Sequence, residues 1–90
     1  MSEPITVRRK RLIYRSRYRG FLESDLVLGR FADRYVATMD DVQLDRYEAL
    51  LEESDQDLFA WIAGHGTVPA RHDHDLFRLL QSFERAGRRD

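Results

Sequence analysis

Leu22-Glu23-Ser24-Asp25-Leu26-Val27-Leu28-Gly29-Arg30-Phe31-Ala32-Asp33-Arg34-Tyr35-Val36 decides the fold class of this 90-residue chain. Its Leu22, Leu26, Leu28, Phe31, Ala32, Tyr35 and Val36 recur mostly at steps of three and four, which predicts a helix with one face in a core. Glu23 and Asp25 fall in its first turns, where the helix dipole favours acids. Gly29 sits mid-helix, where glycine costs roughly 1 kcal/mol relative to alanine. Another helix is therefore expected to cross closely at that point.

Just upstream lies Ser16-Arg17-Tyr18-Arg19-Gly20-Phe21, which joins this helix to an earlier one. Together with Glu23 it forms Arg19-Gly20-x-x-Glu23, a glycine flanked by opposite charges. Unpaired buried charge is too costly for these groups to be core. Two readings stay open: a helix–helix junction with solvated arginines, or a docking surface. In the second, Gly20 admits a partner's backbone while Arg19 and Glu23 supply charged hydrogen bonds. The preceding helix, Val7 to Tyr18, shows only a narrow apolar stripe of Val7, Leu12, Ile13, Tyr14 and Tyr18. Residues 1–6 are expected to fray, with Pro4 suited to a helix start.

Downstream, Asp40 and Gln43 have the spacing of a capping box, with Met39 and Leu44 as a hydrophobic staple. Leu44, Tyr47 and Leu51 are the expected buried face of the third helix. Ser54 is placed to cap a fourth, in which Leu58, Phe59, Trp61 and Ile62 cover more than one face and predict thorough burial. Gly64 and Gly66 end it. The last helix, capped near Asp73, carries Leu76, Phe77, Leu80 and Phe83 inward with Leu79 at the margin, and stops at Gly87. With no strand pattern, the whole chain reads as one all-α domain, a small five-helix bundle over residues 1–90 with tails at 1–6 and 87–90.

Charge is unevenly spread although the net charge is only −1. Residues 1–20 hold seven basic groups against the single acid Glu3, and residues 21–64 hold eleven acids against three arginines. The first helix is expected to lie against the acidic middle of its own fold rather than against nucleic acid. Without cysteine there is no disulfide or thiolate chemistry. No apolar run approaches the roughly 20 residues that span a bilayer, and no secretory core is present, so a cytoplasmic location is expected. His72-Asp73-His74-Asp75 offers metal-type ligands but reads as capping and surface charge, since no third ligand lies elsewhere. His65 reads as loop structure, and the carboxylates give no acid–base pair. Nothing in the residues points to an enzyme.

The order Arg19-Gly20-x-x-Glu23, an aliphatic helix, Asp55-x-Asp57-Leu58-Phe59-x-Trp61-Ile62 and His65-Gly66 resembles the SdhE family. That family comprises the flavinylation or assembly factors of succinate dehydrogenase, bacterial and mitochondrial. The likeness runs from about Arg8 to Arg85. It implies a five-helix bundle without catalysis of its own, which binds the flavoprotein subunit of succinate dehydrogenase and in some bacteria fumarate reductase. It also implies help in attaching FAD covalently to a histidine of that subunit, so that the FAD belongs to the partner and this chain holds no cofactor and no metal.

The partner-binding role carries over to Arg19, Gly20 and Glu23, with Asp25 at an acidic position common in the family. His65 and Gly66 match the pattern, and Arg17 stands in the same stretch. The Leu58-Phe59-x-Trp61 block is assigned to the core. The first helix is richer in arginine than the family leads one to expect. A monomer is expected, with no nucleic acid bound and no membrane insertion. The alternative is an antitoxin-like or regulatory bundle acting on another protein or on nucleic acid.

Overall fold

The computed structural model describes residues 3–17 and 22–88, and the side chains of 3–17 and 27–87. Among the described residues five α-helices follow one another: α1 (Ile5–Arg17), α2 (Leu22–Tyr35), α3 (Asp41–Leu51), α4 (Asp55–Ile62) and α5 (Asp75–Arg88). Single 3-10 turns at Val36–Thr38 and Ala70–His72 lead into the α2–α3 and α4–α5 connections. The radius of gyration, 12.5 Å, is that of a compact domain of this length, for which about 12 Å is usual. No helix among the described residues is long and apolar enough to cross a membrane.

Helix α2 is the central element and touches α1, α4 and α5. Its Leu28, Phe31, Ala32 and the following Val36 are all fully buried, as the periodicity predicts. Phe31 is the hub of an aromatic cluster, its ring 4.9 Å from Tyr35, 5.7 Å from Tyr47 and 5.7 Å edge-on from Phe83. The rings are tilted or edge-on, avoiding the face-to-face sandwich that the ring quadrupoles disfavour. Leu44, Tyr47, Leu50 and Leu51 bring α3 to the same core, and Leu76, Phe77 and Leu80 bring α5.

Local capping accounts for where the helices start and stop. The Asp40 carboxylate accepts the Gln43 N–H at 2.9 Å while the Gln43 side chain accepts the Asp40 N–H at 3.2 Å, a complete capping box. Both staple residues, Met39 and Leu44, are buried. Ser54 Oγ accepts the Asp57 N–H at 3.1 Å. At the end of α4 the His65 N–H reaches Ala60 O at 2.8 Å and the Gly64 N–H reaches Trp61 O at 3.1 Å, with Gly64 at φ +88°. That pair of bonds is a Schellman motif, which needs a residue without Cβ strain at Gly64.

Four sequence expectations change. α5, expected to be capped near Asp73, is capped by the next residue, His74: its Nδ1 accepts the Phe77 N–H at 3.1 Å, an imidazole doing what a shorter polar side chain usually does. α5 also runs through Gly87 to Arg88, because one glycine in a last turn weakens a helix without breaking its bonding. Phe59 and Trp61 are half-buried rather than interior, since α4 has only eight residues and buries only Leu58 and Ile62, with Trp61 packed against the edge of the core. In α1 the stripe is narrower than it reads: Leu12 and Ser16 are buried while Val7 and Tyr14 are exposed.

Candidate functional site

The basic first helix is held by the acidic third. Arg8 pairs with Asp45 at 2.7 Å and Glu48 at 2.9 Å, Arg11 with Glu48 at 3.0 Å, and Arg15 with Glu52 at 3.0 Å. Arg11 also meets Glu3 at 2.9 Å, and Arg9 donates to Met39 O at 2.6 Å. The Arg11 guanidinium first, opposed by burial and then aided by Arg8, keeps Glu48 below the usual carboxylate range. Each such half-exposed pair contributes about 0–1 kcal/mol. Their larger consequence is that these arginines bind the first helix to the acidic third, as the charge distribution leads one to expect.

The C-terminal half of α1 is clamped more firmly. Ser16, fully buried, donates through Oγ to Leu12 O at 2.7 Å and so accepts from the Tyr47 hydroxyl at 2.5 Å. Arg17, the last residue of α1, pairs with Asp33 of α2. Its stem crosses α2 at Gly29, where a built Cβ would lie 3.3 Å from Arg17 Cγ. The close crossing expected at Gly29 is therefore there, and the crossing partner is the end of α1.

The motif itself is framed by these contacts. Arg19 and Gly20 lie outside the described residues; Glu23 and Asp25 are in the first turns of α2 by backbone, with side chains outside the description. Arg17 is half-exposed, directly before that stretch. His65 and Gly66 (φ +77°) are exposed on the loop after α4, and among the described residues no bond ties them to Arg17. The structure thus joins Arg17 to α2 and leaves His65–Gly66 as a separate loop.

A polar cluster that the sequence did not reveal joins the residues after α3 to the 3-10 turn at Ala70–His72. His72 is 1% exposed, and its Nε2 stands 2.5 Å from Glu53 Oε2, which Arg71 also contacts at 2.6 Å. These two donors, His72 first, hold the Glu53 carboxyl below its ordinary value. The His72 ring packs 5.8 Å from Trp61 and 6.4 Å edge-on from His74. Burial, chiefly, then Arg46 and His72, push the His74 ring's pKa down, in keeping with an Nδ1 that must be unprotonated to cap α5. Among the described residues no group of three or more His, Cys, Asp or Glu is arranged to hold a metal. The only forewarning in the sequence was two histidines at a helix start, which capping explains.

Over residues 10–84 the chain matches a family described as flavinator of succinate dehydrogenase. It is 52% identical over 83 residues to succinate dehydrogenase assembly factor 2, mitochondrial, of Debaryomyces hansenii, covering 88% of this chain and 58% of that protein. The protein of the same name in Lodderomyces elongisporus is 45% identical over 83 residues, 88% of this chain and 51% of its own length. Assembly factor 2-A of Drosophila willistoni is 35% identical over 82 residues, 89% and 52% respectively. The chain spans a little over half the length of these curated relatives. Each is named as mitochondrial, and that corrects the cytoplasmic expectation. Composition does not tell the two compartments apart, because a mitochondrial interior asks of a folded domain the same solubility and thiol chemistry as the cytoplasm.

Proposed function

The chain belongs to the family of flavinators of succinate dehydrogenase, and from that premise we propose that it is a non-catalytic assembly factor. It binds the flavoprotein subunit of succinate dehydrogenase, with fumarate reductase as a further client, and promotes covalent attachment of FAD there. The observation that carries this is the family match over residues 10–84, which encloses every residue of the candidate surface from Arg17 to Gly66. The FAD and the histidine that takes it belong to the partner. This chain holds neither cofactor nor metal, and acts as a monomer.

On this reading Gly20 lets the partner's backbone approach while Arg19 and Glu23, with Asp25 beside them, make charge-assisted hydrogen bonds. Arg17 serves by fixing the end of α1 on α2 through Asp33 and Gly29. His65 and Gly66 offer a second, smaller contact on the loop after α4. The factor favours a conformer of the partner in which its own histidine stands against the flavin ring, so that binding energy is used for orientation.

The test is co-expression with the cognate flavoprotein, reading covalent flavin by in-gel fluorescence. Wild type should raise it well above the level without this chain. Gly20→Arg and Glu23→Ala should lower it while leaving the helical circular dichroism and melting of the free chain unchanged. Equal flavin with and without this chain would sink the proposal.

A further inference from the structure

Arg30 and Arg34 stand one turn apart on the outer side of α2, at the rim of a groove of about 450 Å³ between α2 and α5. Tyr35, Leu79 and Phe83 supply its apolar wall, and Ser82, Ala86 and Gly87 leave it open. Leu79 is 37% exposed, an aliphatic side chain presented to the outside beside two cations. Arg34 lies 5.5 Å from the centre of the Tyr35 ring, a cation–π contact between two residues that line the groove.

The two arginines contrast with most of the others. Arg8, Arg11, Arg15, Arg17, Arg71 and Arg78 each meet a carboxylate, and Asp33, between the two in sequence, is taken by Arg17. Among the described residues Arg30 and Arg34 meet none. Arg9, which meets a backbone carbonyl instead, Arg46 and Arg85 are likewise without one, but none of them lines the groove. Like charges at i and i+4 destabilise a helix unless something neutralises them. Here the missing counter-charge and an open apolar wall fall in one place.

We propose that this groove is a second docking site, taking an acidic segment of the partner in which carboxylates flank an aliphatic or aromatic anchor. The carboxylates pair with Arg30 and Arg34, and the anchor packs on Tyr35, Leu79 and Phe83. The inference rests on the reading above in one respect: the partner is the flavoprotein subunit. Helix-in-groove recognition of this kind combines apolar anchors one turn apart with a charged rim that sets orientation.

The experiment uses the full chain and the purified flavoprotein. A photo-crosslinking residue at Ser82, inside the groove, should capture a flavoprotein segment bearing Asp or Glu beside Leu, Ile or Phe; one at Gln56, on exposed α4, should not capture it. The double variant Arg30→Glu/Arg34→Glu should bind about tenfold or more weakly at low salt and lose most of the salt dependence seen with wild type. Its unfolding curve should match wild type, because both side chains are exposed. A complex of unchanged affinity in the double variant, or a Ser82 crosslink to a basic segment or to a second copy of this chain, would overturn the groove while leaving the proposed function standing. Absence of any wild-type complex would overturn both, and Gly20→Arg as a parallel arm separates a lost motif contact from a lost groove contact.

Discussion

His74 shows what one residue settles at close range. Its Nδ1 accepts the Phe77 N–H, so the cap exists only while the ring is neutral. The ring's pKa is held below the ordinary 6.5, chiefly by burial. An unfolded chain then takes the proton first as pH falls, so the stability is complete above about 6.5 and drains away below it. His74→Asn keeps a capping acceptor that does not titrate. At pH 8 it should be within about 0.5 kcal/mol of wild type in urea unfolding. Between pH 6.5 and 5 it should lose less stability than wild type, and identical slopes would refute the cap's part in the pH response.

At the scale of elements, the α1–α2 crossing depends on a missing side chain. With Arg17 Cγ 3.3 Å from where a Cβ would sit, Gly29→Ala gains helix propensity but crowds the stem. The two effects are each about 1 kcal/mol and oppose one another, so near-neutrality is expected. Gly29→Val adds two more carbons and a stiff χ1, and should cost about 1–3 kcal/mol. Hydrogen exchange should show α1 amides losing protection before those of α3, and a Val variant as stable as wild type would contradict the crossing. The capping box of α3 gives a second measure. Asp40→Ala removes the acceptor for the Gln43 N–H and should lower stability by about 1 kcal/mol in urea.

For the molecule as a whole, the relevant pattern is the α1–α3 ladder together with the Glu53 cluster. Glu48 and Glu53 are both held below the ordinary 4.5 by hydrogen-bonded cations. A carboxyl with a depressed folded value contributes stability above the ordinary range and loses it as pH falls through that range to the depressed value. Stability in urea should therefore drop below about pH 4.5. Glu48→Gln should flatten that acid limb and make it less sensitive to salt. An unchanged acid limb in this variant would mean that the ladder does not couple α1 to the fold. The same ladder predicts weak, non-saturating binding to heparin or duplex DNA, since its arginines are already neutralised.

Local physics made much of this chain legible. The five helices, the Asp40–Gln43 box, the Ser54 cap, the Gly64 stop and the crossing at Gly29 follow from spacings of a few residues, because hydrogen bonds and side-chain neighbours within a helix are fixed by chain geometry. The sequence also carried the Arg19-Gly20-x-x-Glu23 motif and hence the family, although Arg19 and Gly20, and the side chains of Glu23 and Asp25, lie outside the described residues. Tertiary structure alone decided which charge answers which. Ser16 finds Tyr47, Arg17 finds Asp33, Glu53 finds His72, and Arg30 and Arg34 are left over. Such pairings join positions from sixteen to thirty-one residues apart. A charge pattern is blind at that distance, because many partners of equal chemistry compete and only the packing of the buried faces selects among them.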